Sequence, residues 1–191
     1  MNNTIKDMII KGAKTLSDIC MWIDAVYAVH NNIRGHMGGA ISMGYGIIHV
    51  KSSKKEINVK RSTESDLVGM GKYVPCNIWF MMFMSAQGYG IENNVFYQYN
   101  KSAMSMEKKG RNSCMGNSIH IHIRYFFVKD RKDKRDMKVE YYPTHLMSSD
   151  FFTKPLMGEM FRKFRTVLMG YTSIFDLDPT LLQLIKEHVG I

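Results

Sequence analysis

The residues of this chain that could do chemistry are carboxylates set far apart in sequence. Asp24 lies inside the run Cys20 to His30, which is rich in aromatic and β-branched residues and has no Pro or Gly. Such a run reads as a central buried strand. An ionised carboxylate within it is costly unless a partner, often a metal, compensates it. Glu64 falls in the first turn of a following helix, Tyr99 ends a later strand and Asp150 opens a late helix, so these four positions can meet at one end of a sheet. Carboxylates drawn from separate elements, with no His or Cys among them, suit hard, oxygen-preferring ions such as Mg²⁺ or Mn²⁺. Two such ions about 4 Å apart would activate water and stabilise the leaving oxygen in phosphodiester cleavage. For Asp24 taken alone, a strand-edge carboxylate capping a turn explains the residue equally well.

The elements that must position these acids can be read in order. Asn3–Gly12 reads as a short helix. After the Asp24 strand, Asn31–Gly39 is a hairpin loop rich in Asn, Gly and His, Ala40–Val50 a second strand, Lys51–Lys55 a basic turn and Glu56–Lys60 a third strand. Ser62 with Glu64 and Asp66 writes a helix start, and that helix runs to Gln87 with Pro75 inside it. Asn94–Tyr99 is a fourth strand, parallel to the first because a helical crossover precedes it. Asn100 caps a short helix to Lys109, 118–134 favours a helix, and Met137–Tyr142 is a fifth strand. Leu146–Thr153 and the basic Gly158–Met169 are helical, and Asp178 with Pro179 starts a terminal helix to Glu187. The sum is an α/β arrangement on a mixed five-stranded sheet, three antiparallel strands and then parallel ones, flanked by helices. The chain divides into an upstream remnant at 1–19, the sheet domain at 20–157 and a helical extension at 158–191.

Composition sets the wider frame. With 191 residues, 45% hydrophobic and 23% charged, the chain has a globular balance rather than a disordered one. A formal charge of +9 and a pI near 9.4 favour a polyanionic partner. Two basic runs, Lys51, Lys54, Lys55, Lys60, Arg61 and Lys129, Arg131, Lys132, Lys134, Arg135, are candidate tracks for nucleic acid beside the plainer reading as solvated faces. Ser62, Thr63, Asn100, Lys101 and Ser102 adjoin the acids and can reach sugar or phosphate, although capping alone explains Ser62 and Asn100. The three cysteines are unpaired in spacing, which fits a reducing cytoplasmic or nuclear setting. No apolar run approaches the ~20 residues that span a bilayer, so no membrane partner is expected. The 17 methionines scatter without outlining a groove. His120, His122 and His145 make a weak transition-metal candidate, since the first two would share a face only on a strand.

Five stretches occur in a telling order: Trp22-Ile23-Asp24-Ala25-Val26-Tyr27-Ala28, Ser62-Thr63-Glu64, Tyr97-Gln98-Tyr99-Asn100-Lys101-Ser102-Ala103, His120-Ile121-His122-Ile123-Arg124-Tyr125 and Asp150-Phe151-Phe152-Thr153-Lys154-Pro155-Leu156. Together they resemble the ribonuclease H region of copia-type LTR retrotransposon polyproteins, where the motifs look like W-x-D-A-D-Y-A, S-S-T-E-A-E, D-N-Q-S-A, H-I-D-I-R-Y and A-D-x-x-T-K-P-L. The resemblance covers roughly residues 20 to 169. It implies a ribonuclease H fold, two Mg²⁺ (or Mn²⁺) ions on four acids, hydrolysis of the RNA strand of RNA–DNA hybrids, and a polyprotein that also carries reverse transcriptase and integrase. Asp24, Glu64 and Asp150 match three of the four acids. Tyr99 stands where the family has Asp, and His122 and Val26 replace two further acids of its motifs. A phenol, with a pKa of about 10, is neutral at pH 7 and cannot bridge a metal. The resemblance therefore implies an impaired nuclease, with a non-catalytic nucleic-acid-binding domain or an inert relic as the alternatives.

Overall fold

The computed structural model describes residues 11–12, 16–56, 59, 62–104 and 119–173. Its strands are β1 (Lys11–Gly12), β2 (Asp18–Val26), β3 (His36–Ser42), β4 (Gly44–Tyr45), β5 (His49–Lys54), β6 (Asn93–Gln98) and β7 (Lys138–Tyr141). Its helices are α1 (Ser62–Ala86), α2 (Ile119–Asp133) and α3 (Gly158–Leu168). The main sheet runs β5-β3-β2-β6-β7. β2 pairs antiparallel with β3 and β3 antiparallel with β5, whereas β6 lies parallel to both β2 and β7. This is the ribonuclease H-like order that the sequence predicts. Parallel neighbours need a long crossover, supplied here by α1 before β6 and by α2 before β7.

β2 holds the centre because both of its faces are covered. Ile19, Met21, Ile23 and Ala25 point to one side and pack with Leu67, Met70, Tyr73 and Val74 of α1 and Val128 of α2. The alternate residues Cys20 and Trp22 point to the other, where Tyr97, Tyr142, Leu146, Met147 and the α3 residues Phe164, Val167 and Leu168 close over them. Trp22 stacks on Tyr97 at 5.4 Å between centroids and meets Tyr142 edge-on at 6.2 Å. Asp24 belongs by period to the Trp22 face, and it lies where that apolar layer ends. Because α3 buries three side chains in the Trp22 layer, 158–168 packs as part of the sheet's cover.

Several local expectations differ from the structure. β3 begins at His36, not Ala40, and β5 takes up His49–Lys54, where a strand end and a basic turn were expected; three of the five residues of the expected strand Glu56–Lys60 lie outside the described residues. Gly38 and Gly39 suggest a loop, yet they are strand residues that must lack a side chain. A Cβ on Gly38 would lie 2.7 Å from the Phe152 Cβ and 2.9 Å from the Thr153 Cγ2, and one on Gly39 would strike the Tyr73 ring. Lys11–Gly12, expected to end a helix, pairs instead with Gly44–Tyr45. The expected helix over Leu146–Thr153 is two 3-10 turns, Thr144–Leu146 and Ser148–Phe152. The helix after Asn100 is seen over 101–104, and its continuation to Lys109 and the terminal helix from Asp178 lie outside the described residues. Among the described residues no helix is long and apolar enough to cross a membrane.

Candidate active site

Asp24 sits near the end of β2, fully buried and in register with Gly38 of β3. The missing side chain at Gly38 lets the 148–153 turn lie against the strand. Thr153 donates its hydroxyl to Asp24 Oδ2. Lys154 then places its ammonium 2.8 Å from Asp150 Oδ2 and 3.5 Å from Asp24 Oδ2, bridging the two acids. From the other edge of the sheet, the Ser52 hydroxyl of β5 donates to the Phe152 carbonyl at 2.8 Å and clips the turn down. Burial pushes the Asp150 carboxyl up to about 6; the Asp24 charge adds to the rise and Lys154 opposes it.

The first turn of α1 supplies the opposite wall. Asp66 is buried and its Oδ2 accepts a 2.7 Å hydrogen bond from the Asn100 side-chain amide at the end of β6. Lys55, just past β5, is completely buried and donates to the Ser65 carbonyl at 3.1 Å and to the Ser65 hydroxyl. Burial raises Asp66 to about 7, with the Asn100 hydrogen bond pulling it down, Asp24 pushing it up, and Lys55 and Lys154 lowering it. Burial likewise lowers Lys55 to about 8 against the pull of Asp66 and Asp24. Tyr99 completes the cluster. Its hydroxyl is driven well above the usual phenol range, first by burial and then by the Asp66, Asp24 and Asp150 charges around it.

Asp24, Tyr99 and Asp150 thus lie together, and the α1 acid facing them is Asp66 and not Glu64. Two residues along a helix turn the side chain by roughly 200°, so the two acids cannot share a face. Glu64 is half-buried at the helix start. Asn100 both caps the 101–104 turn, accepting from the Ser102 and Ala103 amides at 3.0 and 3.2 Å, and ties down Asp66. Ser62 and Ser102 are exposed and Thr63 is half-buried; Lys101 lies 4.6 Å above the Tyr141 ring. The first basic run is split, with Lys51 and Lys54 exposed and Lys55 inside the acid cluster. In the second, Arg131 pairs with Asp130 and Asp136, each at 3.2 Å, and Lys134 with Asp130 at 3.0 Å. Those pairs neutralise part of the expected track. His120 and His122 fall on α2, their side chains outside the described residues, and His145 is exposed on a separate turn.

Lys55, Asp66, Thr153 and Lys154 are the site residues that sequence reasoning overlooks. Asp66 carried a signal as the second acid in Ser62-Thr63-Glu64-Ser65-Asp66, where the resembling pattern also ends on an acid, and Thr153 and Lys154 carried one as the T-K of the fifth stretch; Lys55 carried none.

The donor set limits what the cluster can hold. One buried oxygen on each of Asp24, Asp66 and Asp150 has no hydrogen-bond partner, as an acceptor awaiting a cation would. Yet among the described residues no three His, Cys, Asp or Glu side chains converge closely enough to form a metal cage. Asp24 and Asp150, which already share one ammonium, fit a single hard cation whose remaining positions water would fill. They do not fit a pair of ions, because the hydroxyl beside them, that of Tyr99, keeps its proton and adds no anionic ligand.

The sheet order and helix placement define a ribonuclease H-like fold. No family model matches the chain. Among solved structures, the chain is similar to LC11-RNase H1, isolated from compost by a metagenomic approach. The TM-score is 0.50 at 11% identity, over 70% of this chain and 91% of that one. LC11-RNase H1 in complex with an RNA/DNA hybrid aligns at TM-score 0.48 and 8% identity, over 71% of this chain and 93% of that one. A prototype foamy virus protease–reverse transcriptase aligns at 0.45 and 6%, over 87% of this chain and 22% of that longer one. The first of these likenesses carries the fold; at such identities none carries an activity.

Proposed function

We propose that this chain is a ribonuclease H-like domain of a copia-type LTR retrotransposon polyprotein, built to hydrolyse the RNA strand of RNA–DNA hybrids and impaired in that step. The family motifs in order support the descent, and the position of Tyr99 among Asp24, Asp66 and Asp150 carries the impairment. In this reading Asp24 and Asp150 are the metal-facing acids, and Asp66 closes the cluster from α1. Mg²⁺ or Mn²⁺ held there would supply Lewis-acid activation of water and of the leaving oxygen. The chain's own residues orient the acids: Thr153 and Lys154 fix Asp24 and Asp150, and Asn100 fixes Asp66. Tyr99 offers a hydroxyl that holds its proton in place of a carboxylate. The partner is an RNA–DNA hybrid or other nucleic acid, met by a +9 chain with Lys51, Lys54 and Lys101 at the surface. The ancestral polyprotein joins this domain to reverse transcriptase and integrase in the cytoplasm or nucleus, and the free Cys20 and Cys76 accord with that setting.

Cleavage of an end-labelled RNA–DNA hybrid in Mg²⁺ and in Mn²⁺ tests this, with the unaltered chain beside Tyr99→Asp. The expected result is little or no cutting by the former and a gain of about a hundredfold in the variant, the order of one positioned electrostatic group. Cutting by the unaltered chain at the variant's rate would overturn the impairment, and a folded variant that still does not cut would overturn the nuclease scaffold. A second reading, a domain that only binds, is favoured by the two ammonium groups that already offset the acids facing a phosphate backbone. Binding without cutting in both proteins, weakening steeply with salt, would select it.

A further inference from the structure

The two lysines of the acid cluster are anchored very differently. The Lys55 ammonium is buried and fastened to the Ser65 carbonyl and hydroxyl, with Asp66 beyond it held in turn by Asn100. The Lys154 side chain is 37% exposed; its ammonium touches Asp150 at 2.8 Å and stands 3.5 Å from Asp24. Its flexible stem rises from the open end of the turn, so it can leave without disturbing the core. When it leaves, two adjacent carboxylates are uncovered, and each has a second buried oxygen with no partner.

We propose that Lys154 and a divalent cation compete for Asp24 and Asp150: the cluster takes one hard cation, and only when the Lys154 ammonium swings out of the space between those two acids. The Asp66 half stays closed, because Lys55 has no solvent to move into and two hydrogen bonds to lose. The ceiling is therefore one ion, set by which lysine can be displaced. This rests on Asp24 and Asp150 being the metal-facing acids of the proposed function, but it concerns binding and not cleavage.

The test is Mn²⁺ titration followed by electron paramagnetic resonance, on the full chain and on Lys154→Met and Lys55→Met. The expected result is at most one weakly held ion in the unaltered chain and one ion held tenfold or more tightly in Lys154→Met, the order of change seen when groups around metal ligands are altered. Lys55→Met should not show that gain. Unchanged affinity in a folded Lys154→Met, or two ions in the unaltered chain, would overturn the proposal. Should Lys154→Met not fold, a Mg²⁺ titration of the unaltered protein carrying ¹³C-dimethylated lysines decides instead. The Lys154 resonance, identified with Lys154→Arg, must move as the ion binds, and an unmoved resonance overturns the competition. Absence of hybrid cleavage in Tyr99→Asp would leave this result standing, so the two readings can fail separately.

Discussion

At the α1 wall of the acid cluster, Asn100 holds Asp66 and Ser65 holds Lys55, with Asp66, Ser65 and Lys55 fully buried. At the opposite wall, Asp24 and Asp150 are bridged by the part-exposed Lys154 at the end of a turn that the Ser52 and Thr153 hydroxyls hold and that the absence of a Cβ at Gly38 admits. Both walls set a carboxylate against an ammonium. They differ in what happens when the ammonium goes: one leaves a charge inside the protein, the other exchanges a lysine for water or an ion. Burial therefore decides which ammonium is architecture and which is exchangeable.

The largest effect that would break this comparison belongs to the buried wall. Lys55→Ala leaves Asp66 and Asp24 without their inner cation and should cost about 3 kcal/mol in urea unfolding at pH 7.5, the order expected for removing one member of a buried charged pair. A loss under about 1 kcal/mol would show that Lys55 is as dispensable as a surface lysine. Next in size is Gly38→Ala. Its methyl group would meet Phe152 Cβ at 2.7 Å and Ser149 O at 3.1 Å, so either the turn lifts or the strand shifts. Overpacking of this kind costs about 1–3 kcal/mol. Amide exchange should quicken across 148–153 while β2 stays protected, and equal quickening in both would show that the turn and strand open together.

How far the site could be read from sequence follows the same division. Asp24 taken alone was open to an equal reading as a turn-capping carboxylate and became legible, like Asp150 and Tyr99, because the motifs follow in order. Lys55 was hidden in a basic run, where charge counting cannot separate a buried ammonium from its exposed neighbours Lys51 and Lys54. Asp66 was hidden by Glu64, since both acids suit a helix N-terminus and only the helix's rotation about the sheet selects between them. β3 was misplaced because glycines usually mark turns, whereas Gly38 and Gly39 make room for Phe152, Thr153 and Tyr73 arriving from more than thirty residues away in sequence. The alternation of Ile19, Met21 and Ile23 with Cys20 and Trp22, by contrast, is local, and the sheet order built on it was predictable.

The pH dependence should report on both walls. Asp66 near 7 and Asp150 near 6 lie above their ordinary 3.8, so the fold binds protons that the unfolded chain releases. Stability conferred by that uptake is lost as pH rises from 3.8 towards 7. Lys55 near 8 lies below its ordinary 10.5, so there the unfolded chain holds the extra proton and stability recovers as pH rises from 8 to 10.5. Thermal melts in EDTA should therefore fall as pH rises from 5 towards 7, and the Lys55 recovery above pH 8 should show in the difference between the unaltered chain and Lys55→Met, because the raised Cys20 and Cys76 thiols lower stability in both above pH 9. Asp66→Asn should flatten the acid limb, and a profile unchanged in that variant would mean Asp66 is not the group that titrates.

The smallest effect is the most discriminating. Lys154→Ala removes an ammonium that is 37% exposed, so in EDTA it should cost no more than about 1 kcal/mol, as for other solvent-reached ion pairs. With millimolar Mn²⁺ present the order should invert, because an ion that binds only the folded state stabilises it in proportion to occupancy, and the variant no longer has a lysine in that place. The measurement is the difference in melting temperature with and without the ion, variant against unaltered chain. An equal rise in both proteins would place the ion elsewhere than between Asp24 and Asp150. A large loss in EDTA would show that the Lys154 wall is built as firmly as that of Lys55, and the contrast between them would collapse.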